Sequence, residues 1–213
     1  MSCRVFLVRH GETIWNSEQK LQGHADIPLS DKGRQQAKAL AERLAPRSIS
    51  AVYCSDLGRA VETAGPIAET RKLEVITLRA LREMDFGEWE GLTFKQTKEK
   101  YGDLVTSWWN DPLNMKVPGG ESLQELAARV VPAFRQIVER HKGEGVAVVC
   151  HGGPVRCLIC AVLEMDLNKH WKIRQDNAAL NIIDFSDWKS GIVALLNDRS
   201  HLSEDFSTPF MVR

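Results

Sequence analysis

Short apolar runs alternate along this chain with stretches whose apolar positions recur every three or four residues, the signature of strands interleaved with helices. Val5-Phe6-Leu7-Val8 is an unbroken apolar run, as a strand buried on both faces requires. Residues 31–44 then place Ala37, Leu40, Ala41 and Leu44 at i, i+3, i+4 and i+7, with Ser30 as N-cap and Pro46 as the stop. Residues 49–54 predict a second strand, halted at Ser55-Asp56, which are expected to cap a helix from about 58 to 69. Residues 73–78 predict a third strand, rich in β-branched side chains. Ser122-Leu-Gln-Glu125 is a capping box opening a long helix with an apolar stripe from Leu123 to Val138 and an expected kink at Pro132. Residues 146–150 predict a further buried strand, followed by a helix over about 155–163, and residues 181–185 and 192–196 predict a closing hairpin. The expected class is α/β: a three-layer α/β/α sandwich around a mostly parallel central sheet.

Residues 79–120 are less regular. Glycines and prolines interrupt short helical pieces such as 94–101, and Trp89, Trp108 and Trp109 give the segment the composition of a cap. No repeat, low-complexity tract or Gly/Ser linker marks a boundary, so residues 1–213 are expected to form a single domain carrying that cap. The 28 basic and 28 acidic residues cancel, so no global field draws in nucleic acid or a membrane surface, and any anion site must be local. No run approaches the ~18 apolar residues of a membrane helix. The first residues lead directly into a strand without the features of a signal peptide, and a cytoplasmic location is expected. Cys3, Cys54, Cys150, Cys157 and Cys160 are scattered, mostly in apolar runs, and read as reduced core residues. Exposed apolar residues in the closing hairpin would permit a homodimer.

Candidate chemistry gathers where strands end. The first strand stops at Arg9-His10-Gly11, the second leads to Arg59 at the start of a helix, and a later one stops at His151-Gly152. In open α/β sheets ligands sit beyond the carboxyl ends of the strands. A guanidinium there matches phosphate oxygens with a rigid donor fork, and Gly11 permits a close backbone approach. Two imidazoles and two guanidiniums at one sheet edge make a cup for a dianionic phosphoryl group. Glu12 reads as an orienting residue. His24, His141 and His170 read as solvent-exposed structural residues, and His201 is the one candidate for folding back over the pocket.

The ordered segments LVRHGETIWN, LQGHADIPLS, SDLGRAVETA, LREMDFGEWEG, PGGESLQELAARV and VVCHGGPVRCL resemble the histidine phosphatase superfamily, in its phosphoglycerate-mutase-like branch. The resemblance implies His10 as the phosphorylated nucleophile, with Arg9, Asn16, Arg59, His151 and the Gly152 backbone as phosphate ligands. It implies Glu83 as proton donor, with Asp85, Glu88 and Glu90 as nearby competitors, and Gln22-Gly23 at the pocket mouth.

Such chemistry is consistent with the residues themselves. A neutral imidazole attacks phosphorus and forms a phosphohistidine, splitting one hard step into two. Neighbouring cations keep that imidazole neutral and take the place of a metal, so no metal and no cofactor is expected. Glu83 must hold a proton near neutral pH, through burial or the dianion beside it. FGEWEG followed by PGGES resembles the α-ribazole-5′-phosphate phosphatases of cobalamin assembly and related broad-specificity phosphatases, with Phe86, Trp89, Trp108 and Trp109 as an aromatic wall. The 176–181 segment and the tail around His201 resemble metal-independent phosphoserine phosphatases instead. The expected partner is a small phosphomonoester; a mutase and a non-catalytic phosphate-binding module are the alternatives.

Overall fold

The computed structural model describes residues 2–203. In chain order it contains β1 (Cys3–Arg9), α1 (Ile14–Ser17), α2 (Asp31–Leu44), β2 (Ala51–Cys54), α3 (Gly58–Glu69), β3 (Val75–Thr77), α4 (Phe94–Tyr101), α5 (Asp103–Asn110), α6 (Leu123–Arg140), β4 (Gly145–Cys150), α7 (Gly152–Val162), β5 (Leu180–Phe185) and β6 (Gly191–Asp198). The strands form a six-stranded sheet in the order β3-β2-β4-β1-β5-β6. The first four in that order pair in parallel, and β5 and β6 continue the sheet antiparallel as the expected hairpin. With helices on both faces, this is the α/β architecture that the hydrophobic pattern predicted.

The unbroken apolar run of β1 has a physical reason. Val5 and Leu7 pack into a core beneath α6 and α7, while Phe6 and Val8 pack into the opposite core beneath α2 and α3. A strand buried on both faces has no position for a polar residue until it leaves the sheet. The stripe of α6 buries Leu123, Leu126, Val130, Phe134, Ile137 and Val138. Full burial of one such side chain contributes about 1.5–3 kcal/mol. Its N-terminus carries the predicted capping box, Ser122 with Glu125, and the helix continues across Pro132.

Several local expectations are corrected. Ser55-Asp56 do not cap α3. Its N-cap is Leu57, and the Gly58 N–H donates to Asp26 Oδ1 at 2.8 Å, from a segment thirty-two residues earlier. Asp56 is instead paired with Arg82 through two bonds of 2.7 Å. The helix predicted over 155–163 begins earlier, at Gly152, so its first turn abuts His151. Trp89 and Trp108 do not form an exposed wall; they are buried in the core between the cap and α6. On the edge strand β6, Ile192 and Leu196 are exposed. No helix among the described residues is long and apolar enough to cross a membrane.

Candidate active site

Parallel pairing of β1, β4 and β2 brings their carboxyl ends to one edge, and with them Arg9-His10, His151 and the first turn of α3. The His10 and His151 rings lie 5.1 Å apart, centroid to centroid, and are tilted by 59°. Both side chains are buried, as is Arg59, which is among the largest fully enclosed side chains of the molecule. The separate strand ends therefore converge on one pocket.

Hydrogen bonds decide the protonation pattern. His10 Nδ1 lies 2.7 Å from the Gly11 carbonyl oxygen, an acceptor only, so Nδ1 carries the proton and Nε2 of the neutral ring keeps its lone pair. Arg59 Nε donates to His151 Nδ1 at 3.2 Å, so the neutral His151 ring carries its proton on Nε2. That Nε2 is buried and has no partner among the described residues. One imidazole thus offers a nucleophilic lone pair and the other an N–H donor. Burial, with Arg59 and Arg9 beside the ring, holds His10 well below the usual histidine range. Burial, Arg59 and His10 do the same for His151.

The guanidiniums are fixed by main-chain acceptors. Arg59 donates to the carbonyls of Ala25 and Gly23, each at 2.7 Å. Gly23 reaches Arg59 from a left-handed backbone (φ +52°), where a Cβ would also collide with Glu90. Arg9 Nη1 donates to the Gln175 carbonyl at 2.7 Å, while its buried Nε has no partner among the described residues. Burial pulls Arg59 down to about 10 and lowers Arg9 as well.

Asn16 and Gln22 have their amide oxygens occupied. Asn16 Oδ1 accepts from the Thr13 N–H at 3.1 Å and from Asn177 Nδ2 at 3.0 Å; Gln22 Oε1 accepts from the Thr13 hydroxyl at 2.8 Å. Among the described residues their NH2 groups remain uncommitted. Glu83 sits at the N-terminus of α7, where its Oε1 accepts from the Gly153 N–H at 3.0 Å and the Met84 N–H at 2.9 Å. The preceding N–H, that of Gly152, has no acceptor within the helix, as for any first helical residue. Gly11 has a different reason from close ligand approach: a Cβ there would lie 2.6 Å from the Gly33 carbonyl oxygen of α2. Glu12 pairs with Lys32 at 3.2 Å, away from the arginines of the pocket.

Three histidines depart from expectation. His170 is buried. His141 is tied to the Tyr53 hydroxyl and to Glu144. His24 belongs to the site, with Nε2 3.0 Å from the Glu83 carbonyl oxygen. His201 does not reach the pocket directly; its Nε2 lies 3.1 Å from the Ala178 carbonyl, and the Ala178 N–H holds the His10 carbonyl at 3.0 Å. The tail beyond residue 203 lies outside the described residues.

Residue-by-residue reading missed Asn177, whose amide reaches the His10 and Gly11 carbonyls, and Arg156, discussed below. It also missed Arg129, which gathers the Ala80, Arg82 and Glu83 carbonyls while pairing with Glu121 at 2.7 Å. Among the described residues no group of three or more His, Cys, Asp or Glu side chains is placed to hold a metal ion.

A family model described as histidine phosphatase superfamily (branch 1) matches residues 5–198. The chain belongs to the histidine phosphatase superfamily. Its sequence is 41% identical over 203 residues to "Phosphoglycerate mutase-like protein 4" of Arabidopsis thaliana, covering 94% of this chain and 87% of that one. It is 36% identical over 201 residues to "Phosphoserine phosphatase 1" of Hydrogenobacter thermophilus, covering 94% and 95%. The solved α-ribazole phosphatase of Shigella flexneri superposes with a TM-score of 0.84 at 31% identity, covering 92% of this chain and 96% of that one. Two of these three relatives are named as phosphatases and one as mutase-like, and this histidine phosphatase is an enzyme of the phosphatase kind. Their names differ in the phosphorylated compound and, for the mutase-like protein, in the activity.

Proposed function

We propose that this histidine phosphatase hydrolyses small phosphomonoesters without a metal, through a phosphohistidine on His10. The observation that carries the reading is the pair of neutral, oppositely protonated imidazoles set among buried guanidiniums. In the first step His10 Nε2 attacks phosphorus in line, the phosphorus–oxygen ester bond breaks, and Glu83 gives its proton to the departing alcohol oxygen. Arg9, Arg59, the His151 Nε2–H, the Gly152 N–H and the amides of Asn16 and Gln22 stabilise the phosphoryl oxygens. In the second step water attacks the phosphohistidine, Glu83 takes a proton from it, the phosphorus–nitrogen bond breaks, and inorganic phosphate leaves. Gly23 acts through its carbonyl, which orients Arg59.

The leaving group is the finer question. Likeness to α-ribazole phosphatases supports α-ribazole 5′-phosphate, with Phe86 and Trp109 as the aromatic side chains left partly exposed to meet a base. Likeness to phosphoserine phosphatases supports a smaller, polar alcohol. Phosphate release from a panel of both, with sugar phosphates, 3-phosphoglycerate and EDTA present, tests the whole reading. Turnover in EDTA with a trapped phosphoenzyme is expected; turnover only with added Mg²⁺, or conversion of 3-phosphoglycerate to its 2-isomer without release, overturns it.

A further inference from the structure

One cation of the pocket has no place in that mechanism. Arg156 lies on α7 four residues after Gly152, so one helical turn brings it back to the same face. Its Nε donates to the Ile173 carbonyl at 2.8 Å, and the guanidinium carbon stands 5.0 Å from the centre of the Trp171 ring. Trp171 is in turn backed by Trp109, with ring centroids 4.8 Å apart. These contacts fix the guanidinium plane while leaving its Nη1 and Nη2 edge without an acceptor among the described residues. A Cβ placed on Gly152 would lie 3.0 Å from Arg156 Nη1, 3.6 Å from Arg9 Nε and 3.8 Å from Glu83 Oε2. The free edge of Arg156 therefore borders the same small space as the proton donor.

Other arginines near the pocket's outer wall are matched. Arg82 forms two bonds to Asp56, and Arg129 pairs with Glu121. Arg156 is largely enclosed, has no carboxylate within ion-pair distance among the described residues, and stays charged at neutral pH, burial having lowered it to about 10. An enclosed guanidinium whose Nη edge has no acceptor among the described residues is costly in the empty protein, which makes it a receptor for an anion.

The charge of the reacting state gives the same answer. Arg9, Arg59 and Arg156 are positive, His10 and His151 are neutral, and Asp176 beside Arg9 is already matched by Arg174 and Arg199. Glu83, Asp26 and Glu90 act on Arg59. When Glu83 holds the proton it will give up, the phosphoryl dianion leaves one positive charge unmatched, and the guanidinium next to Glu83 is the one the phosphoryl group does not need.

We propose that Arg156 binds a carboxylate carried by the leaving group, so that the preferred substrates are phosphomonoesters of small hydroxy acids or hydroxy amino acids. The inference rests on the phosphomonoesterase reading above and narrows it. A guanidinium with Nε tied and both Nη groups free offers the planar fork that matches two carboxylate oxygens, which an ammonium does not reproduce.

Two matched pairs of esters, each differing in one carboxylate, test this: O-phosphoserine against O-phosphoethanolamine, and 3-phosphoglycerate against glycerol 3-phosphate. For the wild type kcat/KM should be at least about thirtyfold higher on the acid member of each pair, the scale expected for a bidentate charged contact. In Arg156→Gln the ratio should fall to within about threefold of unity, and Arg156→Lys should keep about a third of the wild-type ratio or less. A wild-type ratio near one, or a ratio unchanged in Arg156→Gln, overturns the assignment. The wild-type ratio decides alone if the variant does not fold. Equal release from all four esters sinks only the carboxylate contact; release from none of them also sinks the carboxylate contact, and release from no member of the wider panel above sinks the phosphomonoesterase reading itself.

Discussion

The two sides of the pocket are held by different means. On the phosphoryl side, Arg9, His10 and Arg59 are fastened to main-chain carbonyls of Gln175, Gly11, Ala25 and Gly23. On the leaving-group side, the Glu83 segment hangs from side chains: Arg129 gathers its carbonyls, Glu121 holds Arg129 and accepts the Asp85 N–H, and His24 bonds the Glu83 carbonyl. Carbonyl acceptors are main-chain atoms, which substitution of the residues that bear them does not remove. Side-chain braces change with single substitutions. In the proposed mechanism phosphoryl transfer would thereby be insulated from the side of the pocket that selects the ester, and relatives sharing this fold can bear different substrate names.

The largest expected effect attacks the insulated side. His10→Ala should lower kcat by at least about 10⁴-fold on every ester and remove the acid-labile, alkali-stable phosphoenzyme seen after rapid quenching. Retained turnover within a few-fold of wild type would remove His10 as nucleophile. Glu83→Gln should act unevenly. Alkyl phosphates, whose alkoxide must be protonated, should lose about 10²–10⁴-fold in kcat, and p-nitrophenyl phosphate much less, because its phenolate leaves unassisted. Equal losses on both would show that Glu83 is not the proton donor.

Breaking the brace should separate the two sides further. Arg129→Met leaves three carbonyls and the Glu121 carboxylate without their donor, on side chains only 23% and 19% exposed. A loss of about 2–4 kcal/mol in urea unfolding is expected, between the cost of one unsatisfied buried group and that of a broken buried pair. Activity of the folded variant should drop more on alkyl phosphates than on p-nitrophenyl phosphate. A uniform drop would mean that the brace supports the phosphoryl side as well.

The same division governs what the sequence made visible. Apolar runs that stop abruptly at Arg9-His10 and at His151 announce strand ends, and a parallel sheet gathers such ends at one edge. Arg59 followed because a second strand leads into its helix. Asn177 and Gln175 stayed hidden because they lie in irregular backbone, where no period marks which amide will turn inward. Arg156 stood as one polar residue in an apolar helix and was not singled out, though its spacing of four from Gly152 was the available signal. In the cap, Gly102 splits α4 from α5 with a backbone that only glycine adopts easily (φ +48°), and each half is only eight residues long, too short for a period to stand out. The donor that α3 leaves unpaired is served by Asp26, a tertiary contact that no local cap rule anticipates.

The smallest effect concerns the cost of keeping the phosphoryl side charged for its task. His10 and His151 are held well below the ordinary histidine value of about 6.5 by burial and by the arginines, so the folded protein refuses protons that the unfolded chain accepts. Above that value neither state is protonated and the groups cost nothing in stability. As pH falls through it, only the unfolded chain gains protons, and stability falls with pH. Between pH 7.5 and 5.5 each of the two should cost about 1 kcal/mol. His201 is lowered in the same direction, so the site histidines must be isolated by substitution. Urea unfolding of the wild type and of His10→Gln at the two pH values measures it: the variant's loss should be smaller by about 1 kcal/mol. A variant with the wild type's pH dependence would place His10 in contact with water and would remove the reason that it is a neutral, attacking imidazole.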